Sequence, residues 1–141
     1  MQARVGSIRL RGKILKKICG KTVLELLVER IRKIKANKII LVTGTLEKNH
    51  LLVNEAKKLD IDYFCGPEEN VLDRFYVCSN AFKSENIIRI TGDCPLIDYD
   101  TINKGIEIFD SNKYDILSVD RIRTFPHGFR SEERRVGKEC R

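Results

Sequence analysis

Short apolar runs alternate with longer segments of helical periodicity along the chain. The apolar runs cover residues 38–43, 61–64, 86–91 and 114–119, and each has the length of a strand. Strands that alternate with helices in this way are typical of β-α-β units, in which the strands run parallel and helices cover the sheet. The pattern therefore predicts an α/β fold with a mostly parallel sheet.

Four helices are predicted between these runs, and each has a recognisable start. Thr22 followed by Glu25 forms a capping box. Asn70 with Asp73 is predicted to cap the third helix and Asp100 the fourth. The apolar stripes of the first, second and fourth helices consist of Leu24, Leu27, Ile31 and Ile34, of Leu52, Ala56 and Leu59, and of Ile102, Ile106 and Phe109.

The fold class indicates where a ligand would bind. In open parallel sheets, ligands lie beyond the carboxyl ends of the strands, where loops lead into helices. The segments that we expect to form the site are therefore residues 3–13, 43–47, 65–70 and 91–99.

The composition indicates one soluble globular domain. The chain has 141 residues, 42% hydrophobic and 33% charged, which is large enough to bury a core. No segment approaches the roughly 20 apolar residues of a membrane span, and no secretion signal is seen. We therefore expect a cytoplasmic protein without a membrane partner.

Five cysteines lack metal-binding spacing and are expected to be reduced, most of them as small core residues; they are Cys19, Cys65, Cys78, Cys94 and Cys140.

The last twelve residues are predicted to have a non-native origin. They read RSEERRVGKECR and match, codon for codon, the translation of a common sequencing-library adapter. Residues 130–141 are therefore predicted to be a non-native tail, with a genuine basic tail as the alternative. The whole chain carries a net charge of +7, whereas residues 1–129 carry 22 basic and 17 acidic residues. The charge therefore gives less support to nucleic-acid binding than it first suggests.

The opening segment, ARVGSIRLRGK, covers residues 3–13. It is not a Walker phosphate loop, because its two glycines are one residue too far apart and Ile14 follows Lys13. Backbone N–H groups near Gly6 and Ser7, surrounded by basic side chains, suit the charges of a nucleoside triphosphate. The basic residues are Arg4, Arg9, Arg11 and Lys13. A solvated basic loop is the alternative.

A second segment, RITGDCPLID, covers residues 89–98. A predicted strand ends at Thr91, Gly92 is expected to free the backbone to turn, and Asp93 then lies at the carboxyl end of the strand. A carboxylate there suits a hard cation held between it and phosphate oxygens. Pro95 is expected to stiffen the following turn. The alternative is that Asp93 only caps a turn.

These segments resemble the cytidylyltransferases that make CMP-activated sugar acids, and within them the branch named for spore coat polysaccharide biosynthesis protein F. The resemblance lies in ARVGSIRLRGK, GPEENVLDRFY, RITGDCPLID and FPHG, in family order from residue 2 to about residue 129. It implies a three-layer α/β/α Rossmann-like nucleotide-diphospho-sugar transferase fold, of which residues 1–129 form part. Arg11 stands where the family has proline and is expected to loosen the loop.

The resemblance also implies roles for single residues. Arg4, Gly6, Ser7, Arg9 and Lys13 would bind the triphosphate of CTP, with Arg4 and Lys13 as catalytic residues. Asp93 would bind Mg²⁺. Arg74 would line the nucleotide pocket, with a surface arginine as the alternative. His50 is expected to be solvated, and His127 to lie in a turn, with a substrate contact as the alternative.

The reaction implied is attack of a sugar-acid hydroxyl on the α-phosphorus of CTP, with release of pyrophosphate, in surface or spore coat polysaccharide biosynthesis. Relative to the family, the chain is expected to be incomplete at both ends. The central opening strand is expected to be absent, since Met1 directly precedes Gln2; burying its apolar side chains would contribute roughly 10 kcal/mol. Further metal and sugar contacts, and pairing into a homodimer, belong to the second half. We expect a fragment that folds poorly and has no turnover.

Two other functions stay open at this point. One is another enzyme of the same fold, either a nucleotidyltransferase that uses UTP or GTP or a glycosyltransferase. The other is a nucleic-acid-binding module, which the net charge suggests. The opening segment argues against that module, because residues 2–17 contain no aromatic side chain on which a base could stack.

Overall fold

Helices and strands alternate along most of the chain. The computed structural model describes residues 1–6, 10–111 and 114–118, and the backbone of 131–135. The helices are α1 (Val23–Ile31), α2 (Leu46–Lys58), α3 (Val71–Ala81) and α4 (Tyr99–Ser111). The strands are β1 (Lys17–Ile18), β2 (Lys21–Thr22), β3 (Ile40–Thr43), β4 (Asp62–Cys65), β5 (Asn86–Ile90), β6 (Ile116–Ser118) and β7 (Ser131–Arg135), and Lys13–Leu15 form a 3₁₀ turn.

The central sheet consists of two parts that the start of the chain connects. β3 and β4 pair in parallel, and β7 lies between β5 and β6, antiparallel to both. Gln2 forms parallel bridges to Val42, in β3, and to Thr91, just after β5. β3, β4, β5 and β6 therefore all run in one direction, which confirms the predicted mostly parallel sheet.

Met1 occupies the space between β3 and β5. Its amino group donates a hydrogen bond to the Ile40 carbonyl oxygen at 2.7 Å, and the Val42 N–H donates to the Met1 carbonyl at 2.8 Å. On the other side, the Gln2 N–H donates to the Ile90 carbonyl at 2.8 Å. Before Met1 the two strands are separated by a cavity of about 630 Å³. The cavity lies where the family resemblance predicts the opening hydrophobic strand.

Helices cover both faces of the sheet at β3. Leu41, Val42 and Thr43 are consecutive and all buried, and consecutive strand residues point to opposite faces, so neither face is open to water. The core around them confirms most of the predicted apolar stripes. Its buried members include Leu24, Leu27, Ile31, Ile34, Leu52, Ala56 and Ile102, with Leu59 and Ile106 packed against them.

The helix starts follow the predicted caps in two cases of three. Thr22 Oγ1 accepts from the Glu25 N–H at 3.1 Å, and Asn70 Oδ1 accepts from the Asp73 N–H at 3.0 Å. The predicted cap at Asp100 is wrong, because the carboxylate that accepts from the Thr101 N–H, at 3.1 Å, belongs to Asp98. α4 begins at Tyr99, which places Asp100 inside its first turn.

The structure differs from the sequence analysis in two other places. The hairpin of β1 and β2 was not predicted; its turn is made by Cys19 and Gly20, with φ of 49° and 85°. Cysteines are also less buried than expected. Cys78 is buried, Cys65 and Cys94 are half-buried and Cys19 is exposed; all four are free thiols, while Cys140 lies outside the described residues.

β7 lies within the predicted adapter-derived tail. Its backbone pairs with β5 over the whole strand, from Ile90 opposite Ser131 to Asn86 opposite Arg135. Backbone pairing of this kind requires extended geometry and does not depend on side-chain identity. The division of the chain at residue 130 stays a prediction.

Candidate functional site

The opening segment forms a loop whose two ends meet at Val5. The Gly12 N–H donates to the Val5 carbonyl at 3.0 Å, and the Val5 N–H donates to Asn49 Oδ1 at 3.1 Å. Gly12 has a φ of 62°, a left-handed conformation that favours glycine. The 3₁₀ turn that follows buries Ile14 and thereby fixes the position of Lys13.

The predicted phosphate ligands of this loop are placed only in part. Arg4 and Gly6 are exposed, and a Cβ atom added to Gly6 would meet nothing within 4 Å. The backbone at Gly6 is therefore accessible to a ligand. Ser7 and Arg9 lie outside the described residues, so their roles stay predictions.

Gly92 allows the second predicted segment to pack directly against the first. A Cβ atom at Gly92 would lie 2.9 Å from Ala3 Cβ and 2.9 Å from the Gln2 carbonyl oxygen. The Gly92 N–H donates to that same oxygen at 2.7 Å. The prediction that Gly92 is needed to let the backbone turn is wrong, because its φ is not positive. Glycine is required here because Ala3 and the Gln2 carbonyl lie too close to leave room for a Cβ atom.

Lys13 and Asp93 form a second contact between the two segments. Lys13 Nζ lies 3.0 Å from Asp93 Oδ2, and the two side chains are 34% and 50% exposed. Partial burial alone would raise the pKa of the Asp93 carboxyl, but hydrogen bonds from Lys13 and Thr91 hold that pKa below its ordinary value. Asp93 is therefore charged at neutral pH and still accessible to a ligand.

The chemistry of Asp93 fits a divalent cation bound together with phosphate. Mg²⁺ commonly uses one or two carboxylates and takes its remaining ligands from substrate phosphates and water. Among the described residues no group of three or more His, Cys, Asp or Glu side chains is arranged to hold a metal ion. Asp93 would thus supply a single oxygen ligand next to the loop predicted to bind phosphate.

Arg74 is buried rather than on the surface, contrary to the alternative considered from the sequence. Its side chain is 1% exposed, and Nε and Nη1 have no hydrogen-bond partner within the described part of the chain. Burial lowers the pKa of its guanidinium, nearby Arg4 lowers it further, and Glu68 acts in the opposite direction. Buried N–H groups without hydrogen-bond acceptors are costly, which favours an anionic ligand at this position.

The sequence analysis missed three residues of this site, which are Thr45, Asn49 and Glu68. Glu68 Oε2 accepts from the Thr45 N–H at 3.0 Å and from Asn49 Nδ2 at 3.4 Å. It also occupies the space beside Gly44, where an added Cβ atom would lie 1.7 Å away. The sequence signal was the glycine directly after β3, which marks close approach of another segment.

His50 does not enter the site as described. His50 is exposed, and its Nδ1 lies 3.2 Å from the Glu47 carbonyl oxygen, in agreement with the prediction that it is solvated. His127 lies outside the described residues.

None of the helices that the structure describes is long and apolar enough to cross a membrane.

Comparisons with known proteins bear on the family and the fold of the chain. A family model described as cytidylyltransferase matches residues 1–135. The chain is 35% identical over 112 residues to the spore coat polysaccharide biosynthesis protein SpsF of Bacillus subtilis, covering 76% of this chain and 47% of that protein. It is 33% identical over 114 residues to the 3-deoxy-manno-octulosonate cytidylyltransferase of Fusobacterium nucleatum, covering 79% and 45%.

A solved cytidylyltransferase structure from Leptospira borgpetersenii matches with a TM-score of 0.91 and 29% identity, covering 95% of this chain and 58% of that one. This match confirms the Rossmann-like nucleotidyltransferase fold. The chain spans about half the length of the curated relatives it matches. The family model covers most of the chain, and the chain therefore belongs to the cytidylyltransferase family.

Proposed function

We propose that this chain binds CTP with Mg²⁺ and forms the nucleotide-binding half of an enzyme that transfers CMP to a sugar acid. The observation that carries the proposal is the contact between Lys13 and Asp93, which are 80 residues apart and meet at 3.0 Å. A cation and a metal-binding carboxylate at one point, beside a loop with exposed backbone, are what a metal-bound triphosphate requires. The family model and the named relatives support cytidine as the base and a sugar acid as the acceptor.

In the proposed reaction, a hydroxyl oxygen of the sugar acid forms a bond to the α-phosphorus of CTP. The bond from that phosphorus to the bridging oxygen breaks, pyrophosphate leaves, and the hydroxyl proton is released. Mg²⁺ held by Asp93 would neutralise part of the phosphate charge. Lys13 and Arg4 would bind the leaving pyrophosphate oxygens, and the Gly6 backbone would allow the phosphates to approach closely.

The contact between Lys13 and Asp93 suggests how the site changes when it is loaded. Without a ligand, each side chain partly neutralises the other. When CTP and Mg²⁺ bind, the ammonium of Lys13 would turn to phosphate and the carboxylate of Asp93 to the cation. Both side chains are partly exposed, so this exchange requires little desolvation. Arg74 would gain phosphate acceptors for Nε and Nη1, which have no hydrogen-bond partner among the described residues.

The wider predictions belong to the whole enzyme. By analogy with the spore coat relative, the product would serve surface or spore coat polysaccharide biosynthesis in the cytoplasm. The acceptor site and a homodimer contact would come from chain beyond the matched half. Nucleic acid and membrane are not expected as partners.

Isothermal titration of CTP in the presence of Mg²⁺ tests the proposal. Lys13→Met and Asp93→Asn should each weaken binding about tenfold or more, because each removes a charge that contacts phosphate or its metal. Asp93→Asn should also abolish the dependence of affinity on Mg²⁺. Lys17→Met, on the exposed strand β1, is the matched control and should bind normally. Equal affinity in all four proteins would contradict the proposal.

A further inference from the structure

Asn49 connects the base of the opening loop to α2. Its Oδ1 accepts a hydrogen bond from the Val5 N–H at 3.1 Å, and the Val5 carbonyl accepts from the Gly12 N–H at 3.0 Å. Both peptide groups of Val5 are therefore held, and Gly12 is fixed beside Val5. A loop with a fixed base loses less conformational freedom when it binds a ligand.

The backbone of α2 is distorted at Asn49. Its φ of −124° and ψ of 17° are not helical although it lies inside the helix, and its side chain is 1% exposed. Its Nδ2 donates to the Thr45 carbonyl at 3.0 Å. A buried amide in a distorted first turn is more costly to the helix than a regular apolar residue would be. The position therefore favours a role for Asn49 outside α2.

Glu68 extends this connection to the loop before α3. Its Oε2 accepts from the Thr45 N–H at 3.0 Å and from Asn49 Nδ2 at 3.4 Å. We call Thr45, Asn49 and Glu68 the Asn49 clasp. The clasp holds together three segments that meet at the carboxyl ends of the strands: the opening loop, the β3–α2 turn and residues 65–70.

We propose that Asn49 is a positioning residue for anion binding. Through Val5, the clasp orients the opening loop so that Arg4 and the backbone of Gly6 face the triphosphate. This inference rests on the proposed function, since the anion concerned is the triphosphate of CTP. Asn49 acts on the ligand only through the loop.

The first test replaces Asn49 by leucine, which removes the acceptor for the Val5 N–H and keeps the branching of the side chain. Asn54→Leu, at an exposed position of the same helix, is the matched control. Inorganic tripolyphosphate and CTP, each with Mg²⁺, are the probes in isothermal titration. We expect Asn49→Leu to weaken both about tenfold, the effect of losing one buried hydrogen bond. Amide exchange at Val5 and Gly12 should become faster, and Asn54→Leu should change neither measurement.

A second test keeps the acceptor and does not depend on leucine being tolerated. Asn49→Asp places a carboxylate against Glu68 and should weaken tripolyphosphate binding. Adding Glu68→Gln removes that repulsion and supplies a donor to the new carboxylate, so the double variant should recover part of the lost affinity, although the Thr45 carbonyl still lacks its donor. The same Glu68→Gln change should give no recovery in Asn49→Leu.

The outcomes separate this inference from the proposed function. Unchanged affinity and unchanged amide exchange in Asn49→Leu would overturn the positioning role, and so would the absence of recovery in the Asn49→Asp, Glu68→Gln double variant. If the unchanged chain binds neither tripolyphosphate nor CTP, the proposed function fails. In that case exchange at Val5 still shows whether Asn49 fixes the loop.

Discussion

The cavity before Met1 predicts that a short apolar extension will stabilise the chain. Met1 lies opposite Leu41 and Ile90, as the bridges of Gln2 require. Counting back along β5 from Ile90, four further residues would reach Asn86, where that strand begins. We therefore consider Val-Ile-Val-Ile added directly before Met1. The side chains that would contact it include Phe75 and Cys78 of α3, Phe82 directly after it, Ile106 and Phe109 of α4, and Ile40 and Ile88 of the flanking strands.

The expected size of the effect follows from three contributions. Burying four apolar side chains contributes about 8 kcal/mol, at about 2 kcal/mol each. Ordering four residues costs about 6 kcal/mol. The extension also turns the buried Met1 amino group into a peptide N–H. Burial lowers the pKa of that amino group from 8.0 to about 6, which costs the folded chain about 1.4 kcal/mol at pH 7. The net gain is about 3 kcal/mol, or roughly 10 °C in Tm.

Thermal and urea unfolding of the extended chain measure this gain. A Gly-Ser-Gly-Ser extension is the control, because it also removes the Met1 amino group but has no apolar side chains to bury. The apolar extension should raise Tm by more than the control, whose gain is limited to about 1.4 kcal/mol from loss of the buried Met1 charge. Equal stability of the two extended chains would refute the interpretation of the cavity as a place for a strand.

Three other changes have distinct expected outcomes. Between about pH 6 and pH 8 the unfolded chain binds more protons at Met1 than the folded chain does, so the free energy of unfolding should rise by about 1.9 kcal/mol across that interval; a flat profile by urea unfolding, in a His50→Gln background, would contradict this. Arg74→Met should leave stability equal or higher, because it removes a buried guanidinium whose Nε and Nη1 have no hydrogen-bond partner among the described residues, yet weaken CTP binding about tenfold or more; reduced stability with normal binding would show a purely structural arginine. Gly44→Ala should cost about 1–3 kcal/mol by displacing Glu68, and this cost should disappear in a Glu68→Ala background.

Features that depend on local spacing were predictable from the sequence. Thr22 with Glu25 caps α1 because the two residues are three positions apart in the chain, whatever packs against them. The apolar run that forms β3 is buried on both faces, as an uninterrupted apolar strand requires. Local spacing did not predict the N-terminal cap of α4, because Asp98 and Asp100 are both acidic and both lie close to its start. Which of the two caps the helix depends on where helical geometry begins.

The parts of the site that sequence reasoning missed depend on tertiary contacts. Nothing in the sequence near Asn49 indicates that its amide meets Val5, which is 44 residues away. Glu68 belongs to a segment predicted to lie at the site, but its contact with Gly44 is a matter of chain packing. The burial of Arg74 likewise follows from the position of α3 against the sheet, and a surface arginine would have the same sequence context.

Nucleotide preference is the most direct test of the central claim that this chain is the CTP-binding half of a cytidylyltransferase. The measurement is the thermal shift of the chain with CTP, UTP, GTP and ATP, each at equal concentration with Mg²⁺. We expect CTP to give the largest stabilisation and Asp93→Asn to remove most of it. Equal shifts with all four nucleotides, or none with CTP, would contradict it.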